Sequence, residues 1–372
     1  MSNLKAPFRY DYVGSFLRPQ ELIDARIKFD DGKITKEALK EIEDKAITEL
    51  ITKQKKSGYQ VITDGEFRRK SWHLDFMWGL NGIERVELGH GYFFQGIETY
   101  HCSVQIKEKI SGENHPFVEH FKFVKQFEEE GIVAKQTIPA PAQLLTELFR
   151  KDNIESTLAV YPDYDELIHD IANAYKTVIK ELYEAGCRNI QFDDCTWGMV
   201  VDANYIIKKY GKDVKTKEEA EKYLYINNLA LEYRPVGLNI TTHVCRGNYQ
   251  SAFAASGPYD TVAPILFANE NVDAFYLEYD DERSGGFEPL KYVAEGKKVV
   301  LGLITSKRPD LEDKEKVIER IHEASKYVPL ENLYLSPQCG FSSNEIGNKL
   351  TEDEQWAKLK LVKEIAEEVW NA

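Results

Sequence analysis

Segments with apolar residues at helical spacing alternate along this chain with short, unbroken apolar runs that end in polar residues. Between Glu166 and Gly186, Leu167, Ile171, Ala174, Val178 and Leu182 recur every three or four positions, which is the period of one helix face. Ala185-Gly186 supplies a stop, and Arg188-Asn-Ile-Gln-Phe-Asp-Asp194 reads as the strand that follows. The same grammar occurs earlier, where Glu41 to Ser57 predicts a helix, Gly58 its cap, and Tyr59-Gln-Val-Ile-Thr63 a strand running into Asp64-Gly-Glu-Phe-Arg-Arg69. Candidate strands fall at about 10–16, 59–63, 131–138, 188–193, 236–242, 272–277, 298–304 and 332–335, with helix-length segments between most of them. Eight strands alternating with helices predict an α/β fold of the (β/α)8 TIM-barrel type rather than an open doubly wound sheet. The pattern breaks once, at about 83–125, where Ile83-Glu-Arg-Val-Glu-Leu88, Tyr92-Phe-Phe94 and Val104-Gln-Ile-Lys-Glu-Lys-Ile110 predict a β-hairpin insertion after strand 2. We read it as a lid or an assembly surface on one catalytic domain spanning 1–372, not as a second domain.

Charge and composition narrow the classes. With 48 Lys and Arg against 62 Asp and Glu, the chain carries a net charge of −14, and no clustered basic surface suited to nucleic acid is found. No apolar stretch approaches the length of a membrane span. The opening Met1-Ser-Asn-Leu-Lys-Ala-Pro-Phe-Arg-Tyr10 lacks the apolar core of a signal peptide. Five widely spread cysteines read as reduced thiols, which makes the cytoplasm the expected compartment. Nothing in the pattern sets an oligomeric state, so a homo-oligomer stays open.

Barrel active sites gather at the C-terminal ends of the strands, and those ends carry the unusual residues here. Strand one ends in Gly14-Ser15-Phe16, strand two in Gly65-Glu66, strand four in Asp193-Asp194, strand five in His243-Val-Cys245, strand six in Glu278 and strand eight in Cys339-Gly340. His243 and Cys245, two apart on an extended segment, point to the same side and can chelate one ion together. With Cys339 and Glu278 they make a four-ligand zinc site, since two soft thiolates favour zinc over magnesium or calcium. Spacing alone leaves a second reading in which two buried cysteines and a core histidine simply follow strands, and Glu278 is one of four acids in Glu278-Tyr-Asp-Asp-Glu282. Asp193-Asp194 also fits a turn or helix cap, and Glu66 an ion pair with Arg68 or Arg69. A third reading is a metal-free barrel hydrolase with Glu66 and Glu278 as its carboxylate pair.

Thr242-His-Val-Cys245, Leu277-Glu278, Pro337-Gln-Cys-Gly340, Val13-Gly-Ser-Phe16, Asp64-Gly-Glu66 and Gln191-Phe-Asp-Asp194 occur in the order expected of cobalamin-independent methionine synthase. The resemblance covers nearly the whole chain and corresponds to the catalytic C-terminal barrel of that family, without its additional N-terminal barrel. It implies that His243, Cys245, Glu278 and Cys339 hold Zn2+, with Glu278 the ligand that yields to the sulfur of a small thiol, homocysteine. It also implies that Glu66 and Asp193 receive the α-ammonium of homocysteine and that the backbone around Gly14 and Ser15 receives its carboxylate. Two departures bear on the methyl donor. Thr305 stands where the family has a histidine proposed to protonate the leaving group, and Thr137-Ile-Pro-Ala-Pro141 replaces a tryptophan-bearing segment set against a pteridine ring. Methylfolate, methylcobalamin on a partner and simpler methylated sulfur compounds therefore all stay open as donors, and Trp72, Trp78 and Trp197 are alternative stacking surfaces. A relative that alkylates a different thiol, similar to the epoxyalkane:coenzyme M transferases, is the alternative within the same resemblance.

Overall fold

The computed structural model describes residues 4–210 and 215–371. In chain order its strands are β1 (Val61–Ile62), β2 (Asn81–Glu87), β3 (Phe93–Phe94), β4 (Ile97–Glu98), β5 (Cys102–Ser111), β6 (Val133–Ala134), β7 (Gln136–Pro139), β8 (Asn189–Asp194), β9 (Asn239–Val244), β10 (Ala274–Glu278), β11 (Lys298–Ile304) and β12 (Leu333–Pro337). Six of them, β7 to β12, form one parallel sheet in sequential order, and β1 pairs in parallel with β6. Nearly every residue of the six is buried, which a parallel sheet covered on both faces requires. Helices such as Lys36–Lys56 and Tyr164–Glu184 supply the outer cover. The second starts where the Asp163 carboxylate accepts from the Asp165 N–H, and it buries the five apolar residues whose spacing predicted it.

The first expected strand, 10–16, is present only in part. Its pairing to β12 is an isolated parallel bridge between Tyr10 and Leu335, carried by Asp11 N–H to Leu335 O at 3.0 Å and Leu335 N–H to Arg9 O at 3.0 Å. Among the described residues no backbone ladder joins this segment to β1, and Thr63 Oγ1 bonds Gly14 O at 3.0 Å in its place. Gly14 explains the break. Its φ of +155° lies outside the β region, and a Cβ there would meet Thr137 Cγ2 at 2.7 Å. The expected hairpin is found as β2 antiparallel to β5, with β3 and β4 paired at its tip. The rest of the 83–125 segment is different, because Pro116–Lys125 is a helix that begins with proline after a His115 cap.

Register sorts the sheet into layers. Asp193 pairs with His243, His243 with Tyr276, Tyr276 with Val300, and Val300 with Tyr334. Neighbours in register share a face, and Tyr276, Val300 and Tyr334 form a small core separate from the main one. Beside this layer lies a buried polar network. Lys135 Nζ donates to Asp11 Oδ1 at 3.2 Å, Tyr12 O at 2.6 Å and Gln191 Oε1 at 3.0 Å, while Tyr276 OH donates to Asp11 Oδ2 at 2.9 Å. Both charged side chains are fully enclosed, and burial lowers the Lys135 pKa while the neighbouring Asp11 opposes it.

Replacing Lys135 with Met would leave the Asp11 carboxylate buried without its cation, a loss of about 3–5 kcal/mol. Urea unfolding of Lys135→Met is expected to show that loss, and the double variant with Asp11→Asn to recover part of it. A Lys135→Met midpoint equal to wild type would refute a structural role for the pair.

Candidate active site

A cavity of about 560 Å³ opens at the C-terminal ends of the sheet strands, with Glu66, Asp193, Cys195, His243, Cys245 and Cys339 in its wall. Strand alternation sets this lining. Asp193 and its register partner His243 face the cavity, whereas Asp194 and Val244, one residue on, face outward. The Asp194 carboxylate accepts from the Thr196 N–H at 2.9 Å and from Asn227 Nδ2 at 2.9 Å, so it takes the turn role that the sequence allowed for this acidic pair. Asp193 keeps the other role.

The imidazole and the two thiols converge. The ligand atoms of His243, Cys245 and Cys339 all lie within 4.8 Å of one another, and all three residues are buried. Cys245 Sγ and Cys339 Sγ are 3.7 Å apart. Two sulfurs held tetrahedrally at about 2.3 Å from one zinc would stand roughly 3.8 Å apart, so the pair fits the ion. His243 Nδ1 lies 3.3 Å from Tyr276 O, which orients the ring, and Nε2 is buried with no partner. The Cys245 pKa is raised, first by the Cys195 thiol and then by burial, and that of Cys339 first by Cys245 and then by burial. A divalent cation reverses this, because a coordinated thiol deprotonates.

Glu278, the expected fourth ligand, stands outside this trio. Its carboxylate accepts from the Arg246 N–H at 3.1 Å, and the side chains of Arg246 and Lys307 each lie 3.8 Å from one of its oxygens. Glu278 is not part of the cavity wall, so the carboxylate pair of the hydrolase reading, Glu66 with Glu278, is not assembled.

The acids expected to receive an ammonium both line the cavity. Glu66 sits in the left-handed region at φ +62°, and its Oε1 accepts from Thr137 Oγ1 at 2.9 Å and pairs with Arg69 at 3.2 Å, leaving Oε2 buried without a partner. Asp193 Oδ1 accepts from Gln191 Nε2 at 2.9 Å. Burial and then the Glu66 charge push the Asp193 pKa up to about 8, and burial raises that of Glu66 too. Two desolvated carboxylates facing one cavity are stabilised by a bound cation. Arg68 turns away to Glu43 and Asp44. Ser15 lines the cavity beside Cys339 and Gly340, and its Oγ accepts from the Ser342 N–H at 3.3 Å. Gly14 lies behind it. A Cβ on Gly340 would come within 1.9 Å of Ser15 Oγ and 3.2 Å of Ser15 N, so a side chain there would displace the Ser15 hydroxyl.

Sequence reasoning passed over part of the wall. His73, Tyr92, Phe94, Tyr100 and Arg150 all face the cavity, most of them from the hairpin, whose alternation carries no chemical signature of its own. His73 stands 3.2 Å from Tyr92 OH, and burial lowers its pKa to about 4. Of the tryptophans considered for stacking, Trp72 lines the cavity; Trp197 is enclosed in the core and Trp78 donates to Ser103 O at 3.0 Å. Thr305 is buried away from the cavity, its N–H bound to Glu312.

Residues 11–368 match the family model described as the cobalamin-independent synthase catalytic domain. The chain is 42% identical to the uncharacterized protein YxjH of Bacillus subtilis strain 168, over 98% of this chain and 96% of that one. It is 25% identical to the methionine synthase of Saccharolobus solfataricus, over 88% of this chain and 86% of the relative. Among solved structures, a putative vitamin-B12 independent methionine synthase from Listeria monocytogenes superposes with a TM-score of 0.78 at 39% identity, covering 99% of each chain. A B12-independent methionine synthase from Shewanella sp. W3-18-1, solved with selenomethionine, shares the fold at a TM-score of 0.73 and 21% identity, covering 98% of each chain.

The raised Asp193 pKa has a measurable consequence. The folded protein holds this proton to about pH 8, against a value of 3.8 for a free aspartate, so the stabilisation is complete below pH 3.8 and is lost as pH rises through 8. Urea unfolding of the substrate-free protein between about pH 5 and 9 is expected to show stability falling with pH, and a much shallower slope for Asp193→Asn. Equal slopes would count against the assignment.

Proposed function

The chain belongs to the family of cobalamin-independent synthase catalytic domains, and on that premise we propose that it is a zinc-dependent methyltransferase that converts homocysteine to methionine. The observation that carries this reading is the convergence of His243, Cys245 and Cys339 in the same cavity as two cation-seeking acids, Glu66 and Asp193. We place the chain in one catalytic domain, a (β/α)8 barrel carrying the hairpin.

His243, Cys245 and Cys339 would hold the zinc, with Glu278, whose Oε1 is buried without a hydrogen-bond partner, as the fourth ligand. A bound zinc ion supplies one thing, a lowered thiol pKa, so that a substrate sulfur is thiolate at neutral pH. The chain's residues do the rest. Glu66 and Asp193 pair with the amino acid's ammonium and fix the sulfur relative to the metal ligands. The Gly14-Ser15 segment faces the carboxylate end, held in place by Gly340 and Ser342. Tyr92, Phe94 and Tyr100 cover the outer cavity, where the donor must enter. The acceptor sulfur then attacks the donor's methyl carbon as the bond between that carbon and the donor breaks. A hairpin lined with aromatic side chains favours a donor with a flat or apolar body. Parallel assays with methylfolate, methylcobalamin and methylated sulfur compounds identify it.

Cys245→Ser and Cys339→Ser are each expected to lose stoichiometric zinc after dialysis, and activity with it, while circular dichroism stays native, because an open catalytic site contributes less to folding than a closed metal cage. Full zinc retention in both variants would overturn the ligand assignment.

Glu66→Gln should keep its zinc and raise the KM for homocysteine by roughly 10- to 100-fold, since a hydrogen bond to a charged group is worth about 1.5–3 kcal/mol. An unchanged KM, or a matching loss of zinc, would show that Glu66 does not serve the substrate ammonium.

A further inference from the structure

Two buried charged groups face each other without a hydrogen bond between them. The Lys307 ammonium and the Oε1 oxygen of Glu278 lie 3.8 Å apart, and among the described residues neither atom has a hydrogen-bond partner. Arg246, equally near the other oxygen, is differently placed. Its guanidinium spends its donors on Gly257 O at 2.7 and 3.0 Å and on Tyr259 OH at 2.9 Å, and its charge rests over the Tyr259 ring at 4.2 Å. Lys307 has no such set. Asp280, which also feels the Lys307 charge, is paired with Arg283 at 3.0 Å, and Lys307 does not line the cavity, so its donors are not reserved for a molecule bound there. A buried ammonium with unused donors costs free energy until a partner reaches it. Closing the gap by about 0.8 Å would make Glu278 Oε1 that partner.

The turn after β11 fixes this geometry. Glu278 ends β10 in register with Gly302 of β11, and beyond that strand Thr305 Oγ1 accepts from the Lys307 N–H at 3.2 Å. Ser306, between them, is bonded to the segment after β12 through Gln338 Oε1 at 2.6 Å and Gly340 O at 2.8 Å. Lys307 is thereby tied to the segment that carries Cys339.

We propose that Lys307 is a positioning residue that holds the Glu278 carboxylate in a second place, off the metal, and so sets how readily Glu278 yields the fourth ligand position. One carboxylate oxygen then has two partners to choose from, the ion held by His243, Cys245 and Cys339 or the Lys307 ammonium. The ligand atoms of that trio lie within 4.8 Å of one another without Glu278 among them, so the carboxylate has to move to join them and leaves Lys307 behind when it does. The two attractions oppose each other. Holding Glu278 off the metal lowers the affinity for zinc and adds the same free energy to the binding of a thiol that takes its place.

This inference rests on the zinc reading above, and the experiment separates the two. Zinc uptake by the wild-type protein is measured first; a chain that takes up no zinc overturns both. Competition with a chromophoric chelator then gives the zinc affinity of Lys307→Met, expected to be tighter than wild type by about 10-fold. Calorimetry on the zinc-loaded proteins is expected to give a homocysteine Kd weaker by about the same factor. Lys307→Gln, which also removes the charge but stays polar, is measured beside it and is expected to shift both affinities in the same directions. The decisive arm is the same pair of measurements in a Glu278→Gln background, where Lys307→Met is expected to change neither affinity, since no carboxylate is left to hold. A zinc affinity that is unchanged or weaker in both Lys307 variants would overturn the proposal while leaving the function standing. So would an equal shift with Glu278→Gln present, which would mean that Lys307 acts on the site without Glu278.

Discussion

Charge taken out of water is the constraint on which this molecule depends. At the centre of the sheet, Lys135 and Asp11 are wholly enclosed, and each charge is tolerable only because the other is there with a full set of hydrogen bonds. The pair also does structural work at a distance in sequence. Asp11 belongs to the first segment, Lys135 lies between β6 and β7, Gln191 is on β8 and Tyr276 on β10, so one network ties together elements that are not all neighbours in the sheet. Where the first segment makes only a bridge to β12, these side-chain bonds hold it in place.

The same physics continues into the cavity. Gln191, fixed by Lys135 through its oxygen, uses its amide nitrogen to hold Asp193, so the orientation of a cavity-facing acid is set by a buried ion pair beneath it. Asp193 and Glu66 lack a cation sufficient for both, and the clustered thiols beside them lack any. On the proposed reading each cost is removed by something that binds: an ammonium for the acids, a divalent ion for the sulfurs. Binding energy in such a site comes from relieving strain already built into the fold rather than from new apolar contact.

The hairpin has a different part. Its β2 and β5 strands stand off the sheet, and its tip returns Tyr92, Phe94 and Tyr100 to the cavity. It helps to wall the cavity at the C-terminal ends of the sheet strands.

Much of this was legible in the residues alone. Helical spacing in Glu166 to Gly186 and the apolar runs of β10 to β12 mark their elements within a few positions, because burial on both faces favours apolar sequence and leaves that trace in a single chain. The polar residues that end those runs point to the site, since side chains that break an apolar pattern at a strand tip must be satisfied by something. What sequence could not decide were contacts between segments far apart. Asp193 and Asp194 are indistinguishable as letters, and only alternation on β8 sends one to the cavity and the other to a helix. Glu278 is one of four acids in a short run, and only the structure sets Arg246 and Lys307 within 3.8 Å of its carboxylate. Charge compensation depends on distance in space, which the tertiary structure alone supplies.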